Sequence, residues 1–149
     1  EGDSVIYDHY QTISASLTYD FDQESQFDYR GKTPEEMVKH LKKFVSGIWQ
    51  IHPFGEGNTR TVTVFMIKYL RSLGFEVDNS PFKENARYFR DALVLDNAKL
   101  LKKNPEYLDR FFENLLLGGQ HELSLKKMYQ EVLPTASAPK NQKDQGLSL

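Results

Sequence analysis

Length, composition and charge exclude several classes of protein. The chain has 149 residues, 39% of them hydrophobic and 27% charged, and a chain of this size buries roughly two-thirds of its unfolded surface. It contains no cysteine, which excludes disulfide scaffolds and thiolate metal sites and fits a reducing, cytoplasmic location. The net charge of −2 gives no reason to expect a nucleic-acid partner. No apolar run approaches the ~18 residues of a membrane span.

The N-terminal region carries a strand pattern. Apolar residues alternate with polar ones on both sides of a polar break at residues 22–25, namely at Leu17, Tyr19, Phe21, Phe27 and Tyr29. This period of two predicts a β-hairpin from about Ser16 to Arg30.

Strong start and stop signals predict helices over the rest of the chain. Thr33-Pro34-Glu35-Glu36 combines a capping box with a first-turn proline, so a helix should begin there and run to about Ile51. A second helix follows the loop at residues 55–58 and ends at Gly74. Further helices should start at Ser80-Pro81, at Asn104-Pro105 and near Glu122. We therefore expect one mainly α domain over residues 1–133, with a β-hairpin, and a disordered or loosely docked tail at residues 134–149.

The loop between the first two predicted helices has the composition of a binding site. It comprises residues 52–60, His-Pro-Phe-Gly-Glu-Gly-Asn-Thr-Arg. Gly55, Gly57 and Asn58 tolerate positive φ, so backbone N–H groups can turn inward beside a helix N-terminus. Such a nest favours an anion, with Arg60 as a charged clamp.

Two further side chains of this loop add chemistry. Glu56 is compatible with a polyphosphate when a divalent cation such as Mg²⁺ lies between them. His52, at the end of the preceding helix, can accept a proton near neutral pH. A surface histidine followed by an ordinary turn is the alternative interpretation. We assign His9, His40 and His121 to surface or capping roles, because their spacing forms no metal site.

The loop closely resembles the signature of the Fic family, His-x-Phe-x-Asp/Glu-Gly-Asn-Gly-Arg-x-x-Arg. The order of predicted elements over about residues 4–117 is also similar to that of the family. This resemblance implies a Fic-type helical bundle in which the hairpin forms a flap over the active-site loop. Similar proteins transfer AMP from ATP to a hydroxyl side chain of a protein.

The resemblance also implies roles for individual residues. His52 would be the general base, Phe54 the core anchor of the loop, and Glu56 the ligand of Mg²⁺ on the ATP phosphates. A target protein would dock on the flap by strand pairing, and the protein could also modify itself. The remaining residues would bind the nucleotide: Gly57, Asn58, Thr59 and Arg60 on the phosphate side, and Asn85 and Tyr88 on the adenine side.

The chain departs from the signature at two positions. Thr59 replaces the second glycine, and Thr63 replaces the second arginine. In related proteins that arginine is directed at the γ-phosphate and pairs with the glutamate of a self-inhibitory helix. Glu1-Gly2 would fit the end of such a helix, or matches it by coincidence. We expect any inhibition of this kind to be weak, because Thr63 carries no charge to pair with it.

The residues leave three functions open. The first is the protein adenylyltransferase that the resemblance implies. The second is the same scaffold transferring another phosphate-containing group, such as a phosphoryl or uridylyl moiety. The third is a nucleotide-binding interaction module with little catalysis, although His52, Glu56, Asn58 and Arg60 argue against decay of the site.

Overall fold

The computed structural model describes residues 4–99 and 102–133, and this part of the chain is mainly helical. It contains α1 (Ile13–Gln26), α2 (Pro34–Ile51), α3 (Asn58–Ser72), α4 (Ser80–Glu84), α5 (Ala86–Asp96), α6 (Glu106–Leu116) and α7 (Leu125–Val132). The only β-structure in these residues is a single antiparallel bridge between Val5 and Ala98. The predicted mainly α fold is confirmed. Glu1-Gly2 and the predicted tail lie outside the described residues.

Helix α2 is the central element of the fold. It begins with the predicted capping box, in which the Thr33 hydroxyl accepts from Glu36 N at 3.2 Å and the Glu36 carboxylate accepts from Thr33 N at 2.8 Å. Helices α1, α3, α5 and α6 all pack against it. Its buried side chains are Val38, Leu41, Phe44, Val45, Ser46, Ile48, Trp49 and Ile51. Because buried residues are consecutive at positions 44–46 and 48–49, more than one face of the helix is covered and its C-terminal half lies in the core.

The predicted β-hairpin at residues 16–30 is wrong, because most of this segment is α1. Tyr19 is 64% exposed, whereas Phe21 packs edge-on against Phe44 and Phe65 with ring centroids 5.7 and 5.6 Å away. The alternation of apolar residues therefore did not mark one face of a strand. The inward position one turn further on is Glu24, which is only 5% exposed. A charged residue at a buried position conceals the helical period from a hydrophobic pattern.

Glu24 is held by hydrogen bonds from three side chains. Tyr29 donates its hydroxyl to Oε1, Tyr69 donates to the same oxygen at 2.5 Å, and His40 Nε2 lies 2.5 Å from Oε2. The His40 ring also stacks on Phe27 with centroids 3.5 Å apart, so the predicted surface or capping role of His40 is wrong. We call Glu24, Tyr29, His40 and Tyr69 the Glu24 cluster. It connects α1 to α2 and α3 through a buried carboxylate whose oxygens are both satisfied.

The helix predicted to start at Ser80-Pro81 is divided in two. Asn85 has φ −121° and ψ 26°, and its side-chain amide donates to the carbonyl of Pro81 at 2.9 Å. This bond competes with regular helix geometry, so α4 ends and α5 begins on the other side of Asn85. The start near Asn104-Pro105 is confirmed, since Asn104 Oδ1 accepts from Glu106 N at 3.1 Å at the beginning of α6.

No helix in the described residues combines the length and the apolar character needed to cross a membrane.

Candidate active site

The candidate loop begins where α2 ends in a left-handed residue. His52 has φ 56° and ψ 56°, and it is the only residue other than glycine with positive φ in the described chain. Its N–H donates to the carbonyl of Trp49 at 3.1 Å, which ends α2. A left-handed conformation is costly for a residue with a Cβ, so the surrounding contacts must hold it. This turn directs the imidazole out of the line of the helix.

Asn58 closes the loop with its side chain. Its Oδ1 accepts from Phe54 N at 3.0 Å, and its Nδ2 donates to the carbonyl of Phe54 at 2.7 Å. Asn58 is 3% exposed, so its side-chain amide is committed to the structure of the loop. Phe54 itself is 50% exposed. The prediction that Phe54 is the core anchor is therefore wrong. The loop is instead held by the buried Asn58 side chain, which hydrogen-bonds to the Phe54 backbone.

The N-terminus of α3 carries an uncompensated positive charge. Gly57 precedes the helix with φ 75° and ψ 17°, and no side chain caps the first turn. A Cβ placed on Gly57 would lie 3.2 Å from Nη2 of Arg60, so the guanidinium rests against this glycine. Within the described residues Arg60 has no carboxylate partner. A cation beside the positive end of a helix dipole is unfavourable alone and becomes favourable when an anion binds between them.

Glu56 lies on the same loop as an exposed carboxylate. It makes no hydrogen bond or ion pair within the described part of the chain. The described residues also contain no group of three His, Cys, Asp or Glu side chains that could hold a metal ion. A divalent cation at Glu56 would therefore need oxygen ligands from the bound molecule itself, as Mg²⁺ on phosphates commonly has.

The His52 imidazole lies against two aromatic rings. The Tyr7 ring stacks on it with centroids 3.9 Å apart and an interplanar angle of 27°. Trp49 meets it edge-on at 5.7 Å and 89°. Nδ1 of His52 is buried without a hydrogen-bond partner, which leaves Nε2 as the nitrogen that can exchange a proton with a substrate.

Trp49 also connects the histidine to the start of α3. Its Nε1–H donates to the Thr59 hydroxyl at 2.9 Å, so Thr59 takes part in the structure of the site where the signature has glycine. The Thr63 hydroxyl donates to the carbonyl of Thr59 at 2.8 Å. Thr63 therefore faces its own helix backbone and supplies no charge toward the loop.

The predicted adenine-side residues are placed differently from the loop residues. Tyr88 is 2% exposed, and its hydroxyl donates to the carbonyl of Tyr107 at 3.2 Å inside the core. Asn85 uses its amide on Pro81. An adenine could reach Tyr88 only after this packing opened, so the structure brings together residues 52–60 but gives Asn85 and Tyr88 helix-packing contacts.

A cavity of about 530 Å³ lies beside the site, between α1, α2 and the segment before α1. Gln50 and Ile51, which line it, immediately precede His52, and Asp8 and Asp20 supply carboxylates. Burial, with the nearby Asp8 charge, raises the pKa of Asp20. None of the residues 52–60 lines this cavity, and its acidic character does not suit a phosphate.

Tyr7 is the site residue that the sequence did not reveal. It lies six residues before α1 and far from the loop along the chain, in a short segment without a clear periodic pattern. Its position depends on backbone contacts between residues 4–6 and distant parts of the chain, which no local pattern indicates.

Comparisons with known proteins cover the segment that contains the candidate loop. The model of the Fic/DOC family matches residues 2–70, which include α1, α2, the loop and most of α3. This segment of the chain is similar to the Fic/DOC family. Tyr7, His52, Glu56 and Arg60 fall inside the matched Fic segment, whereas Asn85 and Tyr88 lie beyond it.

One curated relative extends the comparison. It is a protein of Sinorhizobium fredii (strain NBRC 101917 / NGR234) named probable protein adenylyltransferase y4lH, 38% identical to this chain over 65 residues. The alignment covers 44% of this chain, and the chain spans about a third of the relative's length, 33%. No solved structure matches the chain.

Proposed function

We propose that this chain belongs to a Fic-type protein adenylyltransferase, which transfers AMP from ATP to a hydroxyl side chain of a target protein or of itself. The observation that carries the proposal is the Arg60 guanidinium, which has no carboxylate partner among the described residues and lies at the N-terminus of α3, on the same loop as His52. This arrangement attracts a polyphosphate and places a proton acceptor beside it. The name of the relative, a probable protein adenylyltransferase, supports the choice of AMP as the transferred group.

In the proposed reaction each loop residue has one role. His52 Nε2 accepts the proton of the target hydroxyl, whose oxygen then bonds to the α-phosphorus of ATP. The bond between the α-phosphorus and the bridging oxygen to the β-phosphorus breaks, and pyrophosphate leaves with the negative charge. Arg60 and the N–H groups of the first turn of α3 stabilise that charge. Such chemistry requires positioning and electrostatic stabilisation rather than a covalent intermediate.

Mg²⁺ fits this arrangement at Glu56, whose carboxylate is exposed near the N-terminus of α3 and has no partner among the described residues. When bound, the ion would neutralise phosphate charge. Glu56→Ala should therefore weaken ATP binding with Mg²⁺ several-fold while leaving metal-free ATP binding unchanged. An equal loss of both affinities, measured by isothermal titration with and without EDTA, would assign Glu56 to the loop structure instead.

The target-docking surface is not the predicted hairpin, because residues 13–26 form a helix. Self-modification remains part of the proposal, and it can be tested without knowing a target. Incubation of the protein with ATP and Mg²⁺ followed by intact-mass measurement should show an added AMP.

Labelled ATP separates the proposed function from its alternatives. Incorporation from α-labelled but not γ-labelled ATP supports adenylylation. Incorporation from γ-labelled ATP alone would support phosphoryl transfer and overturn the proposal. Incorporation from neither, with binding of ATP retained, would indicate a nucleotide-binding interaction module. His52→Ala is the matched negative control, because it removes the proposed base from the same fold.

A further inference from the structure

Two aromatic rings, those of Tyr7 and Trp49, meet at the proposed catalytic histidine. Tyr7 stacks on His52 at 3.9 Å, Trp49 meets His52 edge-on at 5.7 Å, and Tyr7 and Trp49 contact each other at 5.9 Å and 73°. The face and one edge of the imidazole are therefore both in contact with rings from different parts of the chain. Trp49 comes from α2, and Tyr7 comes from the segment before α1.

No hydrogen bond from the described residues orients this imidazole. In many proteins a histidine is held by an acceptor on the nitrogen that does not react, which fixes its ring orientation and its tautomer. Here Nδ1 is buried and lacks any such partner. Rotation about the bond to an aromatic ring is soft, with broad preferred angles. The direction of Nε2 must then be determined by the packing of the neighbouring rings.

Tyr7 can provide this packing because its own backbone is fixed. The preceding residues are attached at three points: the carbonyl of Ser4 accepts from Lys99 N at 2.9 Å, Val5 pairs with Ala98, and the carbonyl of Ile6 accepts from Gln50 Nε2 at 3.3 Å. Val5 is 4% exposed. The segment is thus attached both to the end of α5 and to α2 just before His52, so Tyr7 moves with the helix that carries the base.

We propose that Tyr7 is a positioning residue for His52, a role that rests on the proposed adenylyl transfer. Its ring holds the imidazole in the left-handed turn so that Nε2 points toward the target hydroxyl. A reacting group must be held within about 0.5 Å of its productive position, and a looser one slows the chemical step without weakening substrate binding. The ring, and not the hydroxyl, performs this role.

Two substitutions separate the ring from the hydroxyl. Tyr7→Leu keeps apolar volume but removes the ring, and it should lower kcat for transfer about tenfold while KM for ATP changes less than about twofold. Tyr7→Phe keeps the ring and should retain the wild-type kcat. Tyr10→Leu is the matched control, since Tyr10 also lies against a histidine, His9, at 4.5 Å but is 74% exposed. Its kcat should be unchanged.

A second readout does not depend on activity. The ring protons of His52 can be assigned by comparison with His52→Ala. The ring current of the stacked Tyr7 should shift them upfield in the NMR spectrum. Tyr7→Leu should move them toward ordinary values, whereas Tyr7→Phe and Tyr10→Leu should not. Tyr7→Met, which fills the space with a flexible thioether, gives the same comparison if Tyr7→Leu does not fold.

The outcomes distinguish failure of this inference from failure of the proposed function. A wild-type kcat in both Tyr7→Leu and Tyr7→Met would overturn the positioning role, and a higher kcat would show that Tyr7 covers the base instead. Equal loss in Tyr7→Phe and Tyr7→Leu would assign the effect to the hydroxyl and also overturn it. A wild-type protein that transfers nothing while the NMR shifts are as expected would overturn the adenylyltransferase, and with it the role of Tyr7 in that reaction.

Discussion

The Glu24 cluster and the 52–60 loop both bring charged side chains to helix junctions. They differ in whether those side chains have hydrogen-bond or ion-pair partners among the described residues. In the cluster, both oxygens of Glu24 accept hydrogen bonds from side chains of three other segments. In the loop, Arg60 and Glu56 have no partner in the described residues. A charged group satisfied within the chain stabilises the packing of its helices. A group left unsatisfied at a helix N-terminus is available to a ligand, which explains why the second region and not the first is the candidate site.

The largest effect is expected at the loop. His52→Ala should lower AMP transfer by about 10²–10⁴-fold, because removal of a general base costs this much, while ATP affinity stays within about twofold. Radiolabel transfer and titration calorimetry measure the two quantities. His9→Ala, at an exposed histidine, should transfer at the wild-type rate. Transfer by His52→Ala at a rate similar to that of the wild type would show that His52 is not the general base.

Substitution of Glu24 should lower the stability of the fold. Glu24→Ala leaves two tyrosine hydroxyls and the His40 ring without their acceptor, so the free energy of unfolding should fall by about 2–4 kcal/mol. Urea denaturation followed by circular dichroism measures this loss. Asp22→Ala removes an exposed carboxylate from the same helix and should change stability by less than about 0.5 kcal/mol. An equal loss of stability in Glu24→Ala and Asp22→Ala would show that the Glu24 cluster does not stabilise the packing of α1.

Substitution of Arg60 should change ATP affinity and stability in opposite directions. Arg60→Ala should weaken ATP binding roughly tenfold by removing a charge-assisted contact. The same substitution should raise the free energy of unfolding by about 0.3–1 kcal/mol, because it removes a cation from the positive end of α3. Lys68→Ala, at an exposed cation further along α3, should alter neither quantity. A stability loss in Arg60→Ala would mean that its charge is satisfied within the chain.

The smallest expected effect is the alkaline behaviour of the cluster. Burial, together with the Glu24 hydrogen bond, raises the pKa of Tyr69 to about 12 and that of Tyr29 well above its ordinary value. The folded state therefore retains these protons while the unfolded state begins to release them near the ordinary tyrosine pKa of about 10. Stability should be fully present below pH ~10 and decline as the pH rises toward about 12.

A double variant isolates this contribution. Tyr29→Phe with Tyr69→Phe should flatten the fall of the melting temperature between pH 10 and 12. The slope will not vanish, because burial also raises the pKa of Tyr88 to about 12. An unchanged slope in the double variant would place the alkaline sensitivity outside the cluster. The 52–60 loop should contribute none of it, since it contains no tyrosine.

The two regions also differ in how far the sequence predicted them. The loop could be predicted because its chemistry is local: glycines, a histidine and an arginine lie within nine consecutive residues between two helices with clear caps. The Glu24 cluster could not, because its members are spread over residues 24–69 and its buried centre is a charged residue. The same reason led to the hairpin prediction, since α1 directs a glutamate inward and a tyrosine outward.

Within the loop itself, the sequence identified the residue types and the fold assigned their contacts. Asn58 binds the Phe54 backbone and Thr59 accepts from Trp49, and side-chain partners of this kind are not determined by spacing. Asn85 and Tyr88 matched a pattern by sequence, yet the structure uses them in helix packing.

By itself, the sequence determined where α2, α3 and α6 begin, and it determined that a glycine-rich loop with a basic side chain follows α2. Caps, prolines and glycines act over three or four residues, so their effect is readable without the fold. Only the tertiary structure decided that α1 is a helix, that Glu24 is buried with three donors and that Tyr7 stacks on His52. Those outcomes depend on which distant side chains meet, and burial with a satisfied partner outweighs the local preference of the residue.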